Sequence, residues 1–130
     1  MQEISKKQHR VLVVDDNLLN RKLACAILKK NNFEYDVAEN GKIAYDLFVK
    51  NDYDIVLMDI QMPILNGIES TIKIREFERK SGKSTLVPII AVTTFTRDSD
   101  KRNCFDAEMN EVLGKPYKTD KLIEVMDKYL

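Results

Sequence analysis

The sequence has no surplus of charge of either sign, no long apolar run and no cluster of cysteine or histidine. Lysine plus arginine and aspartate plus glutamate both number 21 in 130 residues, so the formal net charge is zero. A surface built for nucleic acid or an anionic membrane carries a basic excess, which argues against both as direct partners. No apolar run reaches the roughly 18 residues of a membrane-spanning helix. The polar stretch Met1 to Arg10 lacks the apolar core of a secretory signal. Cys25 and Cys104 lie too far apart for metal or redox spacing and are expected to be small, reduced core residues on helices. His9 is the only histidine, and in a polar lead-in it is expected to be solvated rather than catalytic. Repeats and a second domain are also missing. The remaining mix, 44% apolar and 32% charged, suits one soluble domain. Its expected place is the cytoplasm, free or as the cytoplasmic part of a membrane-anchored protein.

Three continuous apolar runs stand out: Val11-Leu12-Val13-Val14, Ile55-Val56-Leu57-Met58 and Ile89-Ile90-Ala91-Val92. Runs of this kind mark strands buried on both faces. Tyr35-Asp36-Val37-Ala38 and Val112-Leu113 are shorter and read as edge strands. Helical periodicity fills the gaps. After the cap Asn17, Leu19, Leu23, Ala26 and Ile27 share one helix face. Asn40-Gly41 opens a second helix, with Ile43, Ala44, Leu47 and Phe48 inward. Asn66-Gly67 opens a third, running to about Lys80. A fourth, with a thin apolar face, is expected over 98–109. The last carries Leu122, Ile123, Met126, Tyr129 and Leu130 on one side. Strand and helix alternate five times, which predicts an α/β fold with a single doubly wound, five-stranded parallel sheet. The order 2-1-3-4-5 puts the most apolar strands in the middle and a switch point between the first and third strands. Residues 1–9 are expected to form a disordered tail and 10–130 the domain.

The strand ends carry the chemistry. The first strand runs into Asp15 and Asp16, the third into Asp59, the fourth into Thr93, and Lys115 follows the fifth. Taken singly, an Asp-Asp pair caps a helix, a Lys-Pro makes a turn, and a strand-end Thr satisfies backbone. Together, at one end of one sheet, they exceed what folding needs. Three crowded carboxylates call for a cation, and hard oxygen ligands select Mg²⁺ or Mn²⁺. A carboxylate, a metal, a lysine and a hydroxyl are the parts of phosphoryl transfer to an aspartate. Asp59 would be the nucleophile and needs no base, because an ionised carboxylate carries no proton. Lys115 would neutralise the moving phosphoryl oxygens, and Thr93 would donate a hydrogen bond to one.

Val13-Val14-Asp15-Asp16-Asn17, Met58-Asp59-Ile60-Gln61-Met62-Pro63, Thr93 and Lys115-Pro116 resemble the receiver domain of two-component response regulators, over about residues 10–130. The resemblance implies a flavodoxin-like receiver fold with Asp59 as phosphoacceptor. It also implies Mg²⁺ bound by Asp16, Asp59 and the backbone carbonyl of Gln61, with Asp15 acting through water. Lys115 would contact the phosphoryl group, and its bond to Pro116 is expected cis. The implied partners are a sensor histidine kinase and/or a histidine phosphotransfer domain. Asn17, Asn20-Arg21 and the charged end Arg75 to Lys80 look like receivers of hybrid sensor histidine kinases. The chain is then a hybrid-kinase receiver or a stand-alone one. It would be a switch with slow self-dephosphorylation rather than a metabolic enzyme, monomeric or dimerising on phosphorylation.

Some positions depart from the family pattern. Val112 stands where many receivers have a Tyr or Phe that swings inward, and Thr94 where a small residue is common. Phe95 is expected to shield the acyl phosphate from water. Two other classes compete. A phosphohydrolase of the haloacid dehalogenase type also uses Asp, Mg²⁺ and Lys, but it places a second acid where this chain has Gln61 and it needs a cap insertion. A degenerate receiver would bind partners only, yet all five site residues are present.

Overall fold

The computed structural model describes residues 8–94 and 97–130. The elements alternate as expected: β1 (Arg10–Val14), α1 (Leu18–Lys30), β2 (Glu34–Ala38), α2 (Gly41–Lys50), β3 (Ile55–Asp59), α3 (Gly67–Lys80), β4 (Ile89–Thr93), α4 (Asp98–Asp106), β5 (Glu111–Gly114) and α5 (Thr119–Asp127). The five strands form one sheet in the order β2-β1-β3-β4-β5, and every pairing is parallel. The apolar runs lie in the middle, where β3 and β4 are buried at every position.

Alternation along the strands sends successive side chains to opposite faces. Leu12, Val14, Val56, Met58, Ile89 and Ala91 join Ala44, Phe48, Ile74 and Cys104, so α2, α3 and α4 cover one face. Val11, Val13, Ile55, Leu57, Ile90 and Val92 join Ala24, Leu28, Leu122, Val125 and Met126 under α1 and α5. Asparagines cap the first three helices. Asn17 accepts from the Asn20 amide and Asn40 from the Ile43 amide, both at 2.9 Å. Asn66 and Glu69 complete a capping box at α3.

Three expectations need amendment, and the end of α3 adds a feature that was not expected. The inward face of α1 is Ala24 and Leu28, whereas Leu19 and Leu23 are 64% and 56% exposed, as is Leu18 at 57%. Cys25 is half-buried rather than core, although Cys104 is buried. Helix α4 stops at Asp106, and Glu108 takes a positive φ of 71° in the turn to β5. The charged end of α3 is only partly solvated: Arg75 and Glu78 are fully buried and bonded to each other at 2.7 Å. In the lead-in, the His9 carbonyl accepts from the Glu34 amide at 3.0 Å, and its ring lies against Phe33. Residues 1–7 lie outside the described residues.

Candidate functional site

Register brings the acids together. Val14 pairs with Met58 across β1 and β3, so Asp15 and Asp59 follow at neighbouring strand ends. Thr93 closes β4 opposite Gly114, and the Lys115 amide donates to the Thr93 carbonyl at 2.8 Å. The five residues expected at the site thus converge at the carboxyl end of the sheet, where doubly wound folds place their ligands. Gln61 lies in the loop after β3, lining a shallow groove with Asp16, Met62 and Asn66.

One carboxylate oxygen from each of Asp15, Asp16 and Asp59 lies within 4.8 Å of the other two. Asp15 and Asp59 are buried, whereas Asp16 is exposed. Lys115 Nζ lies 2.8 Å from Asp15 Oδ2 and 3.4 Å from Asp59 Oδ2. The other Asp59 oxygen accepts from the Ile60 amide at 2.7 Å. Burial pushes the Asp59 carboxyl up. The Lys115 charge lowers it and the Asp15 charge raises it, with a net shift upward. Burial lowers the Lys115 ammonium, but its bonds and charge interactions with Asp15 and Asp59 outweigh that and raise it. It therefore stays protonated at neutral pH. Three carboxylates facing one ammonium leave a site short of positive charge and furnished only with oxygen ligands, which fits a small divalent cation.

The scaffold under the site depends on two glycines. A Cβ on Gly67 would lie 2.0 Å from the Asp59 carbonyl oxygen, so α3 starts against the strand end that carries the acid. A Cβ on Gly41 would lie 2.4 Å from the Leu65 carbonyl oxygen, to which the Gly41 amide donates. The Asn-Gly pairs mark these positions in sequence, although the close approaches themselves need coordinates. The Lys115–Pro116 bond is cis. Val112 is half-buried against the α2–α4 side of the core. Thr94 and Tyr117 line a cavity of about 450 Å³ between α1 and the β5–α5 turn, which reaches Asp15 and Lys115. Phe95 lies outside the described residues.

Sequence reasoning missed two features. The exposed Leu18, Leu19 and Leu23 form an apolar patch on the helix that begins beside Asp15 and Asp16. Arg21 reaches back from that helix to the Asp15 carbonyl at 2.7 Å. The periodicity of α1 gave a face that is only partly right: Ile27 packs against the core beside Ala24 and Leu28, whereas Leu19 and Leu23 do not. No helix among the described residues is long and apolar enough to cross a membrane.

The chain is similar to known proteins. Hybrid signal transduction histidine kinase B of Dictyostelium discoideum is 40% identical over 134 residues, which span 97% of this chain and 7% of that protein. The chain therefore spans only a small part of the curated relative it matches. The receiver domain of a Pseudomonas aeruginosa sensor histidine kinase, solved with magnesium coordinated in its active-site cleft, superimposes with a TM-score of 0.84 at 31% identity, covering 95% of this chain and 98% of that one. The receiver domain of Saccharomyces cerevisiae Ssk1, solved with the histidine phosphotransfer protein Ypd1, gives 0.89 at 30% identity, covering 94% and 88%. The family model for the response regulator receiver domain matches residues 11–127. The strand order, the three acids beside one lysine and this match place the chain in the receiver-domain family of two-component response regulators.

Proposed function

We propose that Asp59 accepts a phosphoryl group from a phosphohistidine on a partner protein. The observation that carries this reading is the lysine ammonium 3.4 Å from Asp59 and 2.8 Å from Asp15, with Asp16 completing the acidic cluster. An Asp59 oxygen attacks phosphorus as the bond to the imidazole nitrogen breaks. The imidazole keeps that electron pair and leaves. Lys115 holds its charge against the phosphoryl oxygens, and the Thr93 hydroxyl donates to one of them. Asp16, Asp59 and the Gln61 backbone carbonyl would hold Mg²⁺ directly, with Asp15 acting through water. When bound, that ion neutralises phosphoryl charge and relieves the repulsion among the acids.

The phosphodonor is a histidine kinase or a histidine phosphotransfer domain. The yeast receiver solved with Ypd1 supports such a partner, and so do the exposed Leu18, Leu19 and Leu23 of α1, the helix that begins two residues after Asp16. Residues 10–130 act as one cytoplasmic switch domain, stand-alone or within a hybrid kinase. It contacts neither nucleic acid nor membrane directly and loses its acyl phosphate slowly by its own hydrolysis.

Incubation with acetyl phosphate and Mg²⁺ should add the mass of one phosphoryl group to the wild type and none to Asp59→Asn. A chain that stays unlabelled, or a variant labelled equally, would falsify the assignment.

A further inference from the structure

Arg21 lies one turn beyond the cap Asn17, and its Nη1 donates to the Asp15 carbonyl at 2.7 Å. The other polar atoms of Asp15 are held as well. Its amide donates to the Ala38 carbonyl at 3.1 Å. Its Oδ1 accepts from the Asn17 amide at 2.9 Å, and Oδ2 accepts from Lys115 at 2.8 Å. A cation this close to a helix N-terminus opposes the macrodipole, so helix formation gives no reason for an arginine here. The contacted carbonyl belongs to the peptide plane that joins Asp15 to Asp16. Fixing that plane fixes the direction in which the exposed Asp16 leaves the strand.

We propose that Arg21 is a positioning residue for the divalent-cation site, holding the Asp15–Asp16 peptide so that both carboxylates face Asp59. It touches neither the metal nor the phosphoryl donor. The inference rests on Asp15, Asp16 and Asp59 being a Mg²⁺ site. Its two effects on that site have opposite signs. Positioning strengthens cation binding, whereas the guanidinium charge weakens it.

Calorimetric titration of the full chain with Mg²⁺ separates the two. Arg21→Ala should weaken binding about tenfold, the lower end of what lost supporting bonds cost a metal site. Arg21→Gln retains a donor without the charge and should lose less. In metal-free protein, the Asp16 and Asn17 amides should exchange faster in Arg21→Ala than in the wild type, a change that a loss of charge alone does not produce. If the wild type binds Mg²⁺ and Arg21→Ala binds it equally or more tightly, the charge dominates and positioning is overturned. A wild type that takes up no Mg²⁺, matching Asp16→Asn, overturns the site reading and this inference with it.

Discussion

A buried carboxylate beside two others destabilises the fold until something neutralises it. For Asp59 burial is the largest influence, and the net shift of its carboxyl is upward despite Lys115. The folded state then binds that proton more tightly than the unfolded state. Stability from this group is fully present below its unfolded value and is lost as pH rises through its folded value. In a chelator at neutral pH, Asp59→Asn should therefore melt a few degrees above the wild type. The gain should fade in acid, where the wild type is protonated too. Added Mg²⁺ should raise the melting temperature of the wild type but not of the variant, because it binds only the intact native site. A variant no more stable than the wild type in chelator would refute the argument. Thr71 poses a simpler test. Its side chain is fully buried, and its hydroxyl has no hydrogen-bond partner among the described residues. An unmet buried hydroxyl costs about 1–3 kcal/mol, so the near-isosteric Thr71→Val should stabilise by about 1 kcal/mol in urea unfolding. A loss of stability would show that the hydroxyl is satisfied after all.

Elements differed in how legible they were. The central strands announced themselves, because burial on both faces demands unbroken apolar runs such as Ile55 to Met58. The acidic site was legible for the same reason: each of its residues ends or follows a strand that the pattern already located. Helix α1 was partly misread because three of its four leucines face solvent, so periodicity followed its surface patch as well as its core stripe. The burial of Arg75 and Glu78 at the end of α3 was not legible in the sequence, because nothing in a run of charged residues marks which of them turn inward. In the structure Arg75 also donates to the carbonyls of Glu108 and Val87 and to the side chain of Asn110, while Glu78 accepts from the Val87 amide. That network ties α3 to the entry of β4 and to the α4–β5 turn. Arg75→Met leaves Glu78 buried and uncompensated, and should cost about 3–5 kcal/mol. Pairing it with Glu78→Leu should recover much of the loss, and a double variant as unstable as the single would deny the ion pair its role. Next to Asn110, Glu111 of β5 accepts from the Tyr129 hydroxyl at 2.8 Å and from Lys128 at 3.0 Å. Burial raises the Glu111 carboxyl, but those bonds and the charges of Lys128 and Lys121 outweigh it, and the net shift is downward. A lowered carboxylate stabilises above its unfolded value and loses that contribution as pH falls through its folded value. Amide protection factors at the end of α5 and in the Lys128–Tyr129 segment after it should thus fall in acid before those of the sheet, and Glu111→Gln should remove the difference.

Over the whole molecule, buried contacts are unevenly shared. The middle of the sheet is sealed from both sides, and α2, α3 and α5 each bury several residues, whereas α4 buries only Cys104. Opening free energy follows buried apolar contact, so β3 and β4 should exchange their amides only on global unfolding and α4 well before that. The weak helix is also well placed to respond. It follows β4, whose last residue is Thr93, and precedes β5, which leads into Lys115. On the proposed function, a phosphoryl group held between Thr93 and Lys115 would pull on both strand ends, and the least anchored element between them should give way first. Val112 matters here because its side chain is too small for an aromatic-type swing, which would leave the backbone around α4 to carry such a change. Exchange measured with and without Mg²⁺ and a phosphoryl mimic such as beryllofluoride should differ in α4, β5 and α5 and stay constant in α2 and β2. Asp59→Asn should abolish the difference. A response spread evenly over the sheet, or confined to the loops holding the ligand, would mean that α4 is loose without being coupled to the site.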